Sequence, residues 1–322
     1  MIMWKGGELV VVVPIYEDAE ASGRLFKELA TSLGSDVFIV AVDDGSIKQP
    51  VDVSSIEFAG LNGVVLKLKR NVGHQLAIAI GLNYVLKNLP KVQRIVVMDS
   101  DGEDIPSSIH DLIQTLDSED IDIVVAKRKQ RSEILRFRVL YIIYKFIFIM
   151  FSGEKINFGN FMAMKSAALM RLVTMQELSI HIASCVLKSK LRIATSELDR
   201  GSRYVGQSKM NFVGLALHGF KALMVFADEV FVRIGIACAG VSALLIIGGV
   251  ITVALKLNGF ATPGWLSIAL VILLVVFLQT GMFALMTLML SGMVRSISAT
   301  PINYDVFVDK VLHAKSISAG KF

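Results

Sequence analysis

The sequence predicts an α/β domain of the doubly wound, Rossmann-like kind, followed by a pair of membrane-spanning helices. Three observations predict it. Val/Ile-rich runs alternate with segments of helical period from Leu9 to about Ala126. A polar cluster follows each of the first four runs. Two long uncharged stretches lie near the C-terminus, inside a chain that carries 19% charged residues overall.

The predicted strands are Leu9–Val13, Val37–Val42, Val64–Leu68, Arg94–Met98 and Ile121–Ala126. They are nearly continuous in apolar residues rather than alternating, as expected for parallel strands covered on both faces. The predicted helices are Ala19–Leu33, His74–Lys87 and Ser107–Leu116. Sheets of this kind bind ligands beyond the carboxyl ends of their strands. The polar clusters fall there: Pro14-Ile15-Tyr16-Glu17-Asp18, Asp43-Asp44-Gly45-Ser46, Arg70-Asn71-Val72-Gly73-His74 and Asp99-Ser100-Asp101. Taken singly, Asp44-Gly45 reads equally as a turn, Asn71 as a helix cap and Pro106-Ser107-Ser108 as a helix start. As a set they place a site at one sheet edge.

Ile234 to Leu255 carries no charge and would extend roughly 33 Å as a helix. Trp265 to Val294 is a second uncharged stretch, closed by Arg295, and the turn signals Asn258-Gly259 and Pro263-Gly264 lie between the two. Together they read as a transmembrane hairpin; the alternative is a pair of buried core helices. No signal peptide is read at the N-terminus, where Lys5 precedes only the short run Leu9 to Val13, ended by Pro14. The N-terminal domain is therefore expected in the cytosol, and the C-terminus on the same side. Arg233, Arg295, Lys310, Lys315 and Lys321 then lie inside, with Lys256 alone in the outer turn. A bacterial inner membrane is the expected location. The net charge of +5 fits a surface lying against anionic lipid. No zinc-finger spacing or Arg/Lys-rich tract points to nucleic acid. The two cysteines, Cys185 and Cys238, are expected to stay unpaired.

Between the two regions, Ile134–Ser152 and Met210–Asp228 are apolar segments that each carry a polar stripe: Arg138, Tyr141, Lys145 and Ser152 in the first, and Asn211, Gly214, His218, Lys221 and Asp228 in the second. Both read as helices in the membrane interface, with core helices of the soluble domain as the alternative. The expected organisation is 1–130 nucleotide-binding core, 131–230 acceptor-side segment, 231–295 membrane helices and 296–322 cytosolic tail.

Two carboxylates one residue apart, Asp99 and Asp101, at a strand's carboxyl end suit one hard divalent cation, Mg²⁺ or Mn²⁺, bridged to a substrate diphosphate. There is no Gly-x-Gly-x-x-Gly after a strand and no Gly-x-x-x-x-Gly-Lys-[Ser/Thr], which disfavours a dinucleotide dehydrogenase and a P-loop NTPase.

These motifs resemble a known family. Pro14-Ile15-Tyr16, Val42-Asp43-Asp44-Gly45-Ser46, Asn71-Val72-Gly73-His74-Gln75 and Asp99-Ser100-Asp101-Gly102-Glu103-Asp104-Ile105-Pro106 look like the ordered motifs of family 2 glycosyltransferases with a GT-A fold. Arg200 and Arg203-Tyr204-Val205-Gly206-Gln207-Ser208-Lys209 look like the Arg-x-x-Gly-x-Ser-Lys motif of the polyisoprenyl-phosphate branch, which includes dolichol-phosphate mannose synthases and GtrB-type enzymes. The resemblance implies that Asp43 and Asp44 contact base and ribose, with Pro14 and Tyr16 shaping that pocket. It implies that Asp99 faces the nucleotide, that Asp101 binds the metal with Asp99 beside it, and that Arg203 and Lys209 neutralise phosphate charge. Asp99, Asp101, Asn160, Arg203 and Lys209 are the expected catalytic residues, and Asp18, Asn71, Gly73, Ser100, Arg200 and Gln207 join the expected substrate-binding set. The chain departs from the family in two places. Tyr16-Glu17-Asp18 stands where Tyr-Asn-Glu is usual. Asn160 and Met162 stand in a stretch that commonly reads Gly-Asp-Phe-Arg, whose Asp is often assigned as catalytic base.

The expected function is metal-dependent, inverting transfer of a sugar from a nucleotide-sugar to a polyprenyl phosphate on the cytosolic leaflet, with a UDP-sugar preferred to GDP-mannose as donor. A polyprenyl phosphate is mostly a dianion at pH 7 and needs little help from a base, so Asn160 is compatible with this acceptor. The alternatives are transfer to a sugar on a lipid-diphosphate carrier and a non-catalytic scaffold that keeps the fold. A homo-oligomer is an open expectation.

Overall fold

A computed structural model describes residues 9–118, 120–128, 145–205, 212–260, 262, 264–297 and 302–314. The chain divides into two compact units. The first comprises residues 1–145, 154–225 and 301–322, and the second 146–153 and 226–300.

The first unit is built on an eight-stranded sheet. Its strands are β1 (Leu9–Ile15), β2 (Val37–Asp43), β3 (Asn62–Leu68), β4 (Arg94–Val97), β5 (Ile123–Arg128), β6 (Met162–Lys165), β7 (Ile193–Leu198) and β8 (Val308–Ala314), in the order β7-β5-β6-β4-β1-β2-β3-β8. Its helices are α1 (Ala19–Leu33), α2 (Ser54–Phe58), α3 (His74–Asn88), α4 (Ile109–Leu116), α6 (Ser166–Val173), α7 (Ile182–Lys188) and α8 (Phe212–Met224); the helical residues 145–152 (α5) fall almost wholly in the second unit. A 3-10 turn at Pro106–Ser108 leads into α4, where the sequence predicts a single helix from Ser107.

The apolar runs partition by parity. Val10, Val12, Val40, Val42, Val64 and Leu66 pack with Ile78, Leu82 and Leu169 on one face. Leu9, Val11, Val13, Ile39 and Val65 pack with Leu25, Phe26, Leu29 and Leu112 on the other. Successive side chains of a strand point to opposite faces, so a strand buried on both faces must be apolar at every position. This is the physical reason the runs are unbroken.

The expectation of parallel strands holds for β4-β1-β2-β3 and is corrected at both flanks. β6 inserts antiparallel between β4 and β5, and β8 adds antiparallel to β3, so the sheet is mixed. β5 pairs parallel with β7 rather than with β4. β6, β7 and β8 are short or amphipathic segments that the apolar-run criterion does not detect.

The second unit holds α9 (Ala227–Leu257) and α10 (Trp265–Ile297), packed along one another. Both are long and apolar enough to cross a membrane. Their surfaces are largely exposed hydrophobics, including Leu244, Val250, Met282 and Leu288. The core-helix alternative is overturned for this pair, since neither helix is buried. α9 starts earlier than the uncharged run, taking Asp228 and Glu229 into its first turn, where carboxylates favour the positive end of the helix. Asp228 thus leaves the polar stripe assigned to the preceding segment. Arg233 donates to the Met150 carbonyl at 2.7 Å, within the same unit.

In the acceptor-side segment most of 134–152 lies outside the described residues. In α8 the half-buried His218 bonds to His181 at 3.1 Å, while Leu217, Phe220 and Met224 are exposed.

Candidate active site

The loops after β1, β2 and β3 are tied to one another through Asp44, and the loop after β4 meets the first through Ser100 and Asp18. Asp44 N–H donates to the Ile15 carbonyl at 2.8 Å, joining the first two loops. Asp43, 2% exposed, accepts Ser46 N–H at 3.0 Å and Val51 N–H at 3.2 Å. Asp44, 3% exposed, accepts Val72 N–H at 2.7 Å and Gly73 N–H at 2.9 Å. Burial raises the Asp44 pKa, outweighing those two donors. The two aspartates therefore order the loops of this edge: Asp43 shapes its own loop, and Asp44 holds the loop that opens α3. Gly45 makes the join possible. At φ +69°, a Cβ there would stand 2.4 Å from the Arg70 carbonyl carbon.

Pro14 is buried inside β1, in register with Val42, and Tyr16 beyond it is half exposed. Gly73, at φ +91°, precedes the first residue of α3, so Asn71 does not cap that helix. Asn71 is exposed, and its carbonyl accepts from Arg70.

The loop after β4 carries the Asp-x-Asp pair. Asp99 N–H donates to Asp104 at 2.9 Å, and Ser100 Oγ donates to Asp18 at 3.4 Å. Asp101 Oδ1 accepts Glu103 N–H at 3.0 Å, and Asp101 Oδ2 meets Arg203 Nη2 at 2.8 Å. Glu103 accepts Arg203 Nε at 2.9 Å and also pairs with Arg200. Backbone bonds staple the arginine segment down: Gly201 N–H to the Glu103 carbonyl and Tyr204 N–H to the Asp101 carbonyl, both at 2.9 Å. Gly102, at φ +88°, lies flat against the Tyr204 ring. Tyr204 Oη donates to Glu28 at 2.5 Å, and Arg24 stacks on its ring at 4.3 Å.

A second group lies beside Asp99. His74 Nε2 is 3.2 Å from Asp99 Oδ1 and 2.8 Å from Asn160 Nδ2. Gln75 Nε2 donates to Asn160 Oδ1 at 3.2 Å, and Gln75 Oε1 accepts Ile182 N–H from the start of α7 at 2.7 Å. Withdrawal from water lowers the His74 pKa, but Asp99, with Asp104 and Asp44 behind it, raises it further than that.

Of the residues singled out in the sequence, Asp18, Asp99, Ser100, Asp101, Arg200 and Arg203 share one constellation with Glu103. Asn160 belongs to the neighbouring one. Gln207 and Lys209 lie outside the described residues. The sequence assigns no role to Glu103, which its place two residues after Asp101 signals, nor to Glu17, His74 and Gln75, which stand there as letters of the clusters and motifs. Asp99 and Asp101 supply oxygen donors suited to a hard cation; among the described residues no cluster of three metal-ligating side chains forms.

The model of glycosyl transferase family 2 matches residues 10–178, which contain the sheet's parallel core, the Asp-x-Asp loop and Asn160. The chain belongs to glycosyl transferase family 2. It is a glycosyltransferase that uses a nucleotide-sugar donor. An uncharacterized glycosyltransferase, sll0501, of Synechocystis sp. is 27% identical over 79% of this chain and 82% of its own length. A dodecaprenyl-phosphate galacturonate synthase of Rhizobium johnstonii is 29% identical over 41% of this chain and 39% of its own length. A crystal structure of a mycobacterial protein superposes at a TM-score of 0.50, with 14% identity over 69% of this chain and 74% of that one, which speaks to the fold. The mixed α/β sheet is the GT-A-like fold that the glycosyltransferase resemblance implies.

Proposed function

We propose that this glycosyltransferase moves a sugar from a nucleotide-sugar to a polyprenyl phosphate at a membrane surface, with inversion at the sugar's anomeric carbon. The observation that carries the reading is the pair of arginines, Arg200 and Arg203, gathered on the Asp101–Glu103 loop at the carboxyl edge of the sheet. Guanidinium groups grip phosphate oxygens bidentately, so two of them beside an Asp-x-Asp pair form a place for diphosphate chemistry. The relative named for a dodecaprenyl-phosphate product supports a lipid phosphate as acceptor.

In this reading Tyr16, Asp18, Asp43 and Asp44 border the nucleoside, with a UDP-sugar the first donor to test and GDP-mannose the second. Asp101 and Asp99 fit Mg²⁺ or Mn²⁺ by donor chemistry, and the ion would neutralise charge on the departing nucleoside diphosphate. Arg203 then exchanges its Asp101 contact for a phosphate oxygen. Arg200, Gln207 and Lys209 complete the phosphate-binding set. An acceptor phosphate oxygen forms the new bond to the sugar as the bond to the diphosphate breaks.

The chain order supports one and the same side of a membrane for both ends of the helical pair. The polypeptide leaves the sheet unit after Val225 and re-enters it at residue 301 to add β8 to β3. An insertion whose two ends return to one sheet crosses a membrane an even number of times. The exposed Leu217, Phe220 and Met224, with Lys221 beside them, support α8 as an interfacial helix.

The test is to incubate the purified full-length protein with undecaprenyl phosphate, Mg²⁺ or Mn²⁺ and a panel of nucleotide-sugars, and to weigh the lipid. A glycosylated lipid phosphate that disappears with EDTA is the expected product. Asp101→Ala is expected to lower the rate by about a hundredfold or more without changing the melting temperature. Wild-type protein that glycosylates only a hydroxyl acceptor, or nothing, overturns the proposal.

A further inference from the structure

We infer that Tyr204 is a positioning residue for Arg203: it clasps the arginine segment and the Asp-x-Asp loop to α1 as one piece, so that Arg203 turns from Asp101 to a donor phosphate oxygen without leaving that loop. The inference rests on the phosphate contact proposed above for Arg203 and adds the residue that places it.

The two segments run against one another at backbone distance. Tyr204 N–H donates to the Asp101 carbonyl and Gly201 N–H to the Glu103 carbonyl, so residues 201–204 lie antiparallel to residues 101–103. Glycines at the crossing make this approach possible. A Cβ on Gly102 would stand 2.8 Å from the Tyr204 ring, and one on Gly201 would collide with the Gly102 carbonyl oxygen. The ring therefore packs directly on backbone.

The outer side of Tyr204 is held by α1. The phenol donates to Glu28 at 2.5 Å, since a carboxylate only accepts. Arg24 lies over the ring at 4.3 Å and pairs with Glu28, one turn along the same helix, at 3.1 Å. α1 is a fixed anchor, because its Leu25, Phe26 and Leu29 are fully buried against the sheet. The 3-10 turn Pro106–Ser108, which ends the Asp-x-Asp loop, packs on the same helix. Tyr204 thus bonds α1 with its side chain and the Asp-x-Asp loop with its backbone. Arg24 and Glu28 are themselves well exposed, and an exposed ion pair stabilises a helix little. Their consequence lies in holding the phenol.

Arg203 is the neighbour of this clasp. It reaches the loop through two different nitrogens, Nη2 to Asp101 Oδ2 at 2.8 Å and Nε to Glu103 Oε1 at 2.9 Å. The Asp101 contact can pass to a phosphate oxygen while the Glu103 contact stays. The guanidinium then turns about one bonded nitrogen, and little side-chain freedom is lost on binding. The pivot is useful only if the backbone beneath it is fixed, because a displacement of about 1 Å spoils such a grip. Tyr204 fixes that backbone from the next position in the chain. Without the Glu28 bond, the ring is free to slide off Gly102 and carry Arg203 with it.

The experiment uses full-length protein in lipid nanodiscs and reads binding rather than turnover. UDP and GDP are titrated in the presence of Mn²⁺ by calorimetry, and the tighter of the two serves as the probe. Wild type, Tyr204→Phe, Arg203→Ala and the double variant form a cycle. Arg203→Ala is expected to weaken binding by about thirtyfold. Tyr204→Phe, which removes one oxygen and keeps the ring, is expected to weaken it by about fivefold with its melting temperature unchanged. The double variant is expected to match Arg203→Ala to within about twofold, because the phenol acts through the arginine. Glu28→Ala breaks the same bond from α1 and is expected to match Tyr204→Phe, which keeps the test open should that variant fail to fold. Wild-type affinity in Tyr204→Phe, or a double variant in which the two losses multiply, overturns the inference and leaves the phosphate contact of Arg203 standing. Wild-type affinity in Arg203→Ala removes that contact from the proposed function, and the inference with it. Wild-type protein that binds neither nucleotide with Mn²⁺ overturns the donor role of this edge, on which both rest.

Discussion

Asp43, Asp44 and Glu17 carry negative charge to the sheet edge, and each spends it on backbone N–H groups. Glu17 accepts from Ile47, Lys48 and Gln49, with the closest contacts at 2.7 Å, while its own N–H donates to Ser46 Oγ at 2.8 Å. The Ile47 N–H foremost, with those of Lys48 and Gln49, holds its carboxyl below the usual range against the opposing effect of burial. Glu17 sits at φ +50°, a conformation that non-glycine residues adopt rarely and that persists where surroundings over-determine it. It therefore latches the 46–49 segment of the loop proposed to border the nucleoside. Glu17→Ala is expected to raise the donor KM severalfold while leaving kcat for the bound donor nearly unchanged, as read by steady-state kinetics with the acceptor saturating. From sequence, the carboxylates of this edge were legible as polar letters after strands. Which of them face a ligand and which bind the backbone was not, because that depends on where a neighbouring loop, distant in sequence, places its N–H groups.

At the scale of elements, α7 shows how a short helix is held. His181 precedes it, and its Nδ1 accepts the Ser184 N–H at 3.1 Å, which leaves the ring's other nitrogen for His218. Burial, then the neighbouring charges of His218 and Lys221, push the His181 pKa down to about 3. A histidine whose folded pKa lies below its unfolded value stays neutral in the fold while the unfolded chain takes up a proton. Its contribution to stability is present above about pH 6.5 and is lost as pH falls toward 3. The protein is expected to lose roughly 2 kcal/mol between pH 7 and pH 5 from this residue. Denaturant melts at the two pH values check this, and His181→Asn, which keeps a capping oxygen, is expected to remove most of the difference. α1 and the first four strands were legible within about two residues because their periodicity is strong. β6 was not, since four residues of mixed character between two other strands have no signature of their own.

For the whole molecule, the sheet is completed from both sides of the helical insertion. β8 follows α10 in the chain and pairs with β3 from Gly63–Ala314 to Leu68–Val308. Lys87 pairs with Asp305 at 2.7 Å, and Lys69 Nζ donates to the Val306 carbonyl at 2.9 Å. Ending the chain after Ile297 would strip this edge and leave β3 with unpaired backbone groups. The truncated protein is expected to melt more than about 5 °C lower and to aggregate on concentration, as followed by thermal melts and light scattering. A chain ended at Ala314 that behaves the same way would place the effect in the residues beyond the strand instead.

The sequence by itself determined the α/β fold with its pair of membrane-length helices, the parallel core and the family, since each follows from local periodicity, composition or a short motif. Only the tertiary structure decided that the sheet is mixed, that Arg203 sits on Asp101 and Glu103, and that Asn160 stands between Gln75 and His74. These outcomes depend on contacts between residues far apart in the chain, and a hydrogen bond's direction is set by the partner's chemistry at 3 Å rather than by the neighbours along the sequence.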